Sequence, residues 1–257
     1  QLELSLGWGG RGAGLVGTLG VQFTNFSLKN IVDKKAWTPL PSGDGQNLTV
    51  RAQLNGKQFQ SYNMSFTEPW LGGKKPNSFS VSFFRQRYNL LDGTNNFTGD
   101  VVGKSITTGG SIGIGTRLAW PDDFFTVRSA INVNHYKLDE FNLYANFPFT
   151  SGTATDLNLS TTLARNSIDN PMFPRKGSTF SLQLDVTLPY SKLFKGRKNI
   201  DYTSNETPAS EKYKLIEYHK WRFNADWYTP IIGNLIFHTS AKLGFLGTFN
   251  KDIGVTP

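Results

Sequence analysis

Apolar and polar residues alternate with a period of two along almost the whole chain, and this alternation most constrains the fold. Phe180, Leu182, Leu184, Val186 and Leu188 alternate with Ser181, Gln183, Asp185 and Thr187. Leu48, Val50, Ala52 and Leu54 alternate with Asn47, Thr49, Arg51 and Gln53. Leu2, Leu4, Leu6 and Trp8 alternate with Gln1, Glu3, Ser5 and Gly7. Helical periodicity is almost absent. About eleven strands are expected, near 1–9, 14–26, 46–55, 59–68, 77–90, 109–120, 125–138, 154–168, 178–189, 213–229 and 235–249. Most exceed the roughly 5–6 residues of a globular strand and reach the roughly 9–11 that a tilted strand needs to cross a bilayer.

The connections differ in kind. Those after strands six, eight and ten are short and rich in breakers: Pro121-Asp122-Asp123, DNPMFPRKG (169–177) and Pro230 to Asn234. Those after strands five, seven and nine are long and polar, 190–212 most of all. Short turns on one side and long loops on the other are expected of an outer-membrane barrel. The early part fits less well, because 27–45 is long and the connections after strands one and three are short. In DNPMFPRKG, Pro171 and Pro174 fix φ and remove two donors, and Gly177 can take positive φ where the next strand begins.

Composition is compatible with this class. Aromatics make up 14% of the 257 residues, with 20 Phe, although only 38% of residues are hydrophobic and mean hydropathy is -0.35. A barrel is apolar only on alternate residues, so a low average is expected. A soluble β-sandwich also alternates and stays open as an alternative. Strand length and the placement of Trp70, Trp120, Trp227 and Tyr228 beside the short turns favour the membrane. Arg51, Arg117, Arg128, Asp185, Arg222, Asp226 and Lys242 would then line a wet lumen. An odd strand count would leave edge amides unpaired in lipid, so either more strands are expected than this chain holds or something else covers the edges.

Candidate chemistry is sparse. There are no cysteines, which excludes disulfides and thiolate sites. His135, His219 and His238 fall on separate strands without ligand spacing, and are expected on the polar face or in loops. No nucleophile elbow is present, although a Ser/His hydrolase assembled across strands stays open. GWGGRG (7–12) has the letters of a dinucleotide loop, but a strand follows it where a helix is required. No catalytic residue, metal or cofactor is expected. The net charge of +8 is scattered, so no nucleic-acid partner is expected.

Three segments carry a family resemblance. SFTEPWLGG (65–73), with Glu68, Pro69 and Trp70, resembles the end of strand four in the BamA family. LARNSIDNPMFPRKGS (163–178), with Asp169, Phe173, Pro174 and Gly177, resembles its turn between strands eight and nine. GWGGRGAGLVGTLGVQFTNFSLKN (7–30) is similar to its first hairpin. The resemblance spans essentially the whole chain. It implies an all-β transmembrane antiparallel barrel, of which residues 1–257 supply the eleven N-terminal strands of sixteen. POTRA domains and the remaining strands would lie outside this chain. It implies a non-enzymatic insertase that folds and inserts other outer-membrane barrels, in the outer membrane of a diderm bacterium. Its implied partners are unfolded barrel clients, outer-membrane lipids and accessory lipoproteins or other subunits. Strand one, Gln1, Leu2, Glu3, Leu4, Ser5, Leu6, Gly7, Trp8 and Gly9, would be the client-pairing edge of a lateral gate. A related secretion or translocation pore, and a passive porin or receptor, are the competing readings.

Overall fold

The computed structural model describes residues 1–8, 15–37, 40–73, 75–92, 99–142, 150–198, 200–204 and 206–253. Eleven strands form one antiparallel sheet in chain order: β1 (Leu2–Trp8), β2 (Leu15–Phe26), β3 (Gln46–Asn55), β4 (Phe59–Glu68), β5 (Ser78–Leu91), β6 (Val101–Arg117), β7 (Phe125–Asp139), β8 (Gly152–Asn166), β9 (Gly177–Thr187), β10 (His219–Ile232) and β11 (Leu235–Gly247). β1 and β11 are its two edges. No described helix is long and apolar enough to cross a membrane, which leaves spanning strands unaddressed.

The two faces of the sheet follow from the pleat, because successive side chains point to opposite sides. One cavity of about 650 Å³ is lined by Ser82 of β5, Ser111 of β6, Asn132 of β7, Asp156 of β8, Asp185 of β9 and Leu246 of β11. The sheet curves around this cavity, so these residues mark the inner face. The strand registers place Arg51, Arg117, Arg128, Arg222, Asp226 and Lys242 on the same face. The opposite parity gives an outward band that includes Leu4, Leu19, Val50, Met64, Phe83, Ile112, Ile131, Leu159, Leu243 and Phe245. All ten are well exposed. An apolar outer wall around a polar interior is the pattern of a membrane barrel and the reverse of a soluble core.

Two strand boundaries differ from expectation. β6 begins at Val101, not at 109. Residues 101–108 carry Lys104 and Thr108 on the outward face, so apolar alternation fades although pairing with β5 and β7 continues. β10 begins at His219, not at 213. The alternating stretch before it instead folds back onto β8, where Thr155 N–H donates to Lys214 O (2.8 Å) and Ile216 N–H to Thr155 O (3.0 Å). Pro230 lies within β10 at a register shift, and the turn itself is Gly233-Asn234, with Gly233 at φ +56°.

The long connection 188–218 is partly helical, with α1 (Tyr190–Leu193), α2 (Lys195–Lys198) and α3 (Ala209–Lys212). Each is a single turn, too short to leave a periodic signal. The segment is anchored from inside. Glu217 is fully buried and accepts bonds from the backbone N–H and, at 2.9 Å, the Oγ of Ser191. Tyr190 donates to Leu157 O (3.3 Å) and Tyr218 to Asp156 Oδ2 (3.3 Å). Burial beside Asp156 pushes the Tyr218 phenol upward, so it remains a donor throughout the ordinary pH range. Asp156 shows why this segment rests on the inner face: a polar strand residue there supplies an acceptor that a lipid-facing wall could not.

Candidate functional site

Among the described residues β1 is the shortest strand, with seven residues, all exposed. Its register with β2 runs from Leu2↔Val21 to Trp8↔Leu15. Just before it, Gln1 and Gln22 exchange both backbone bonds: Gln22 N–H donates to Gln1 O (2.8 Å), and the Gln1 nitrogen donates to Gln22 O (2.6 Å). Antiparallel ladders alternate bonded and non-bonded pairs. Glu3, Ser5 and Gly7 therefore direct their backbone groups at β2. Leu2, Leu4 and Leu6 direct theirs to the open side of the sheet, while their side chains point outward. On the inner face Glu3 forms an ion pair with Arg51 of β3. Both side chains are about half exposed, so the pair contributes little, about 0–1 kcal/mol. Trp8 lies at the outer end of the strand. Gly9 lies outside the described residues.

The inner turns, those that follow β2, β4, β6, β8 and β10 at one end of the sheet, brace the strands from which β1 projects. Glu68 Oε1 accepts from Trp70 N–H (3.0 Å), and its Oε2 accepts from Gln46 Nε2 (2.7 Å). Gln46 Oε1 in turn accepts from Leu28 N–H (2.8 Å). One carboxylate thus links the β4–β5 turn, the start of β3 and the 27–45 segment. Pro69 stands between Glu68 and Trp70 and fixes φ there, while the Trp70 indole stays exposed. The 27–45 segment is itself well tied. Ser27 is fully buried, donating to Asp44 Oδ2 (2.6 Å), and Asn30 Nδ2 donates to Ser42 O (2.8 Å). Glu68→Ala is expected to lower stability by about 1–3 kcal/mol by leaving the Nε2 of the buried Gln46 without its acceptor. Urea unfolding measured against Glu68→Gln, which keeps the acceptor, checks this.

In the β8–β9 turn, Asp169 Oδ1 accepts from the backbone N–H groups of Arg175 (2.9 Å) and Lys176 (3.2 Å). Asn170 Oδ1 does the same for Met172 (2.9 Å) and Phe173 (3.3 Å). Pro171 and Pro174 occupy positions between these caps. The rigid turn holds Phe173 out, 75% exposed. Gly177 has φ +101°, and a Cβ there would lie 2.2 Å from Ser167 O. Arg165 ties this turn to the β6–β7 turn, pairing with Asp122 at 2.9 Å and donating to Ser167 and Ser178.

Bonds from Arg175 and Lys176 hold the Asp169 carboxyl below its ordinary value of 3.8. A lowered folded-state pKa stabilises the turn above the ordinary value, and that contribution is lost as pH falls through the lowered one. Protease sensitivity at the turn is expected to rise on acidification, whereas Asp169→Asn should be sensitive already at neutral pH and vary little. Limited proteolysis across a pH series measures both.

The structure thus places β1 at a sheet edge, and places Glu68, Trp70, Asp169, Phe173 and Gly177 in two turns on one side of the sheet. It does not gather them into one pocket. Two of the aromatic and histidine expectations change. Tyr228 lies on the inner face, stacked on His238 at 4.5 Å, where His238 also bonds Asp226 at 2.9 Å. His135 and His219 lie on the outward face, against Thr155 and against Phe245 and Phe249 respectively. Among the described residues, no group of His, Cys, Asp and Glu could hold a metal ion. The sequence reading missed the inner-face network of Asn132, Asn134, Asp156, Asn158 and Tyr218. Its trace is the run of Asn and Asp at alternate positions on β7 and β8.

The family profile described as the Omp85 superfamily domain matches residues 42–255. No curated protein matches the chain in sequence. Among solved structures, the chain is similar to the crystal structure of BamA from Haemophilus ducreyi lacking POTRA domains 1-3, with a TM-score of 0.57 and 17% identity. That likeness covers 97% of this chain and 46% of the other, so the chain spans about half the length of the structure it resembles.

Proposed function

The chain belongs to the Omp85 superfamily, and from that membership we propose that it is the barrel part of an outer-membrane insertase, which folds and inserts other β-barrel proteins at the edge of β1. The observation that carries this reading is that the backbone groups of Leu2, Leu4 and Leu6 point to the open side of the sheet at its β1 edge.

The mechanism follows from the cost of unpaired backbone in lipid, several kcal/mol per group. A client strand entering the bilayer alone carries that cost. Docked on β1, its amides pair at once, by strand addition. Backbone bonds supply the attraction, so many client sequences can be accepted. In the full barrel β1 would face the last strand across a lateral gate. Each new client strand then pairs with the previous one. Outer-membrane lipids surround the gate, and accessory lipoproteins or other subunits would engage the inner turns.

The alternative is an Omp85-type secretion pore. The cavity of about 650 Å³ on the inner face, with Asn132, Asp156 and Asp185 in its lining, favours it, while the docked 188–218 segment works against free passage. The test uses the full polypeptide in liposomes with a urea-unfolded outer-membrane barrel as client. Heat-modifiable gel mobility should show faster client folding than in empty liposomes or in liposomes holding an unrelated barrel. Unchanged folding accompanied by substrate flux or conductance would overturn the insertase in favour of the pore.

A further inference from the structure

Along β5 to β7 the outward face changes character toward the long-loop end. On β5, Phe79, Val81 and Phe83 give way to Arg85 and Arg87. On β7, Ile131 and Val133 give way to His135 and Lys137. On β6, Ile114 and Ile112 give way to Thr108 and Lys104, with Ile106 between them. The registers put Arg85 opposite Thr108 and Thr108 opposite His135; Arg87 lies opposite Ile106, and Ile106 opposite Lys137. Arg87 and Lys137 are thus two strands apart, about 10 Å.

These strands are long enough to leave the apolar layer. The 17 residues of β6, at about 3.3 Å each and a tilt of about 40°, rise roughly 43 Å along the barrel axis, against an apolar band of about 25 Å. The basic residues begin where the band ends. Lys104 is neutralised by Asp139 at 3.2 Å. Asp139 is the one carboxylate on the outward face of the outer halves of β4 to β8 among the described residues. Arg85, Arg87 and Lys137 are exposed, and no described acidic group pairs with them.

We infer that the outer ends of β5–β7 form a binding site for the phosphate groups of a lipid in the membrane leaflet at the long-loop end. The inference rests on the reading of the chain as an outer-membrane barrel. Three unpaired cations on a wall that faces lipid repel one another. A phosphate held between them removes that repulsion, and guanidinium groups can take phosphate oxygens in pairs. The lipid's acyl chains would lie against Phe83, Ile112 and Val133 below. A headgroup phosphate fits this combination better than a soluble anion, which would leave the apolar half of the surface unused.

Native mass spectrometry of the full protein in a zwitterionic detergent tests the site, with lipid A and its fully dephosphorylated form as probes. Wild type should retain the phosphorylated form about tenfold or more over the dephosphorylated one. The R85Q/R87Q/K137Q variant should lose that preference, and the inner-face variant R128Q should keep it. Unchanged preference in the triple variant, or equal retention of both probes by wild type, would overturn the site. Heat-modifiable mobility confirms folding; if the triple variant misfolds, R87Q alone should show a smaller loss, and no loss would overturn the site. Failure of wild type to insert into bilayers would remove the barrel reading and this inference with it, whereas insertion without phosphate preference removes the inference alone.

Discussion

Leu4→Pro is expected to abolish most of the client-folding activity while Leu4→Ala leaves it near the wild-type level. The Leu4 amide points away from β2, so proline removes no bond within the sheet and is tolerated on an edge. It does remove a donor from the open side, and its ring obstructs the approach of a neighbouring strand. Adding Leu6→Pro removes a second donor. At about 1 kcal/mol for each bond lost, the double variant should be roughly thirtyfold slower, and the ring adds to this. Alanine at Leu4 keeps the amide and gives up only an outward side chain. Client folding rates in liposomes, with heat-modifiable mobility of the variants as the folding control, measure both effects. Equal loss with alanine and proline would mean that β1 acts through its side chains, and the backbone-pairing mechanism would have to be abandoned.

The second large effect is expected at Gly177. Its φ of +101° is in a region that L side chains avoid, and its Cβ would meet the Ser167 carbonyl, not a flexible side chain. Gly177→Ala should therefore cost about 3 kcal/mol or more, the upper end for a strained backbone position. The damage should spread. Ser167 N–H donates to Ser178 O (2.9 Å), and Ser178 Oγ accepts from Arg165, so displacing the turn also disturbs the Arg165–Asp122 pair that joins two inner turns. Urea unfolding of the purified variant should show a lowered midpoint. A stability equal to wild type would mean that the turn can adopt another conformation and that its rigidity is dispensable.

Much of this fold was legible because each strand reports its environment twice, once on each face. Phe180 to Leu188 could hardly be anything but a half-apolar strand, and β3, β4 and β9 lie where the alternation put them, to within a residue or two. The signal failed where the environment stopped being two-faced. The first half of β6 leaves the apolar layer, so Lys104 and Thr108 erase the alternation while the hydrogen-bonded ladder continues. Tyr213 to Tyr218 alternates, but among the described residues its sheet pairing is only an isolated bridge to Thr155 with bonds between Tyr218 and Thr187, not a strand ladder. The edge position of β1 was readable only through family resemblance, because Leu2, Leu4 and Leu6 would look the same in a central strand. Its open-side amides depend on hydrogen-bond phase, which no side chain encodes. Met172 and Phe173 have a comparable history. The prolines and Asp169 predict a stiff turn, but the caps that hold these apolar residues outward appear only when the backbone is in place.

Disulfide trapping tests the central claim most directly. Leu4→Cys and, separately, the inner-face variant Asn132→Cys of the full polypeptide would be paired with single cysteines along the terminal strand of a client arrested during folding. The account predicts cross-links to position 4 at alternate client residues, as a strand register requires, and none to position 132. Cross-links to position 132 without any to position 4 would contradict it, and would mean that the client passes through the lumen without pairing at the edge of β1.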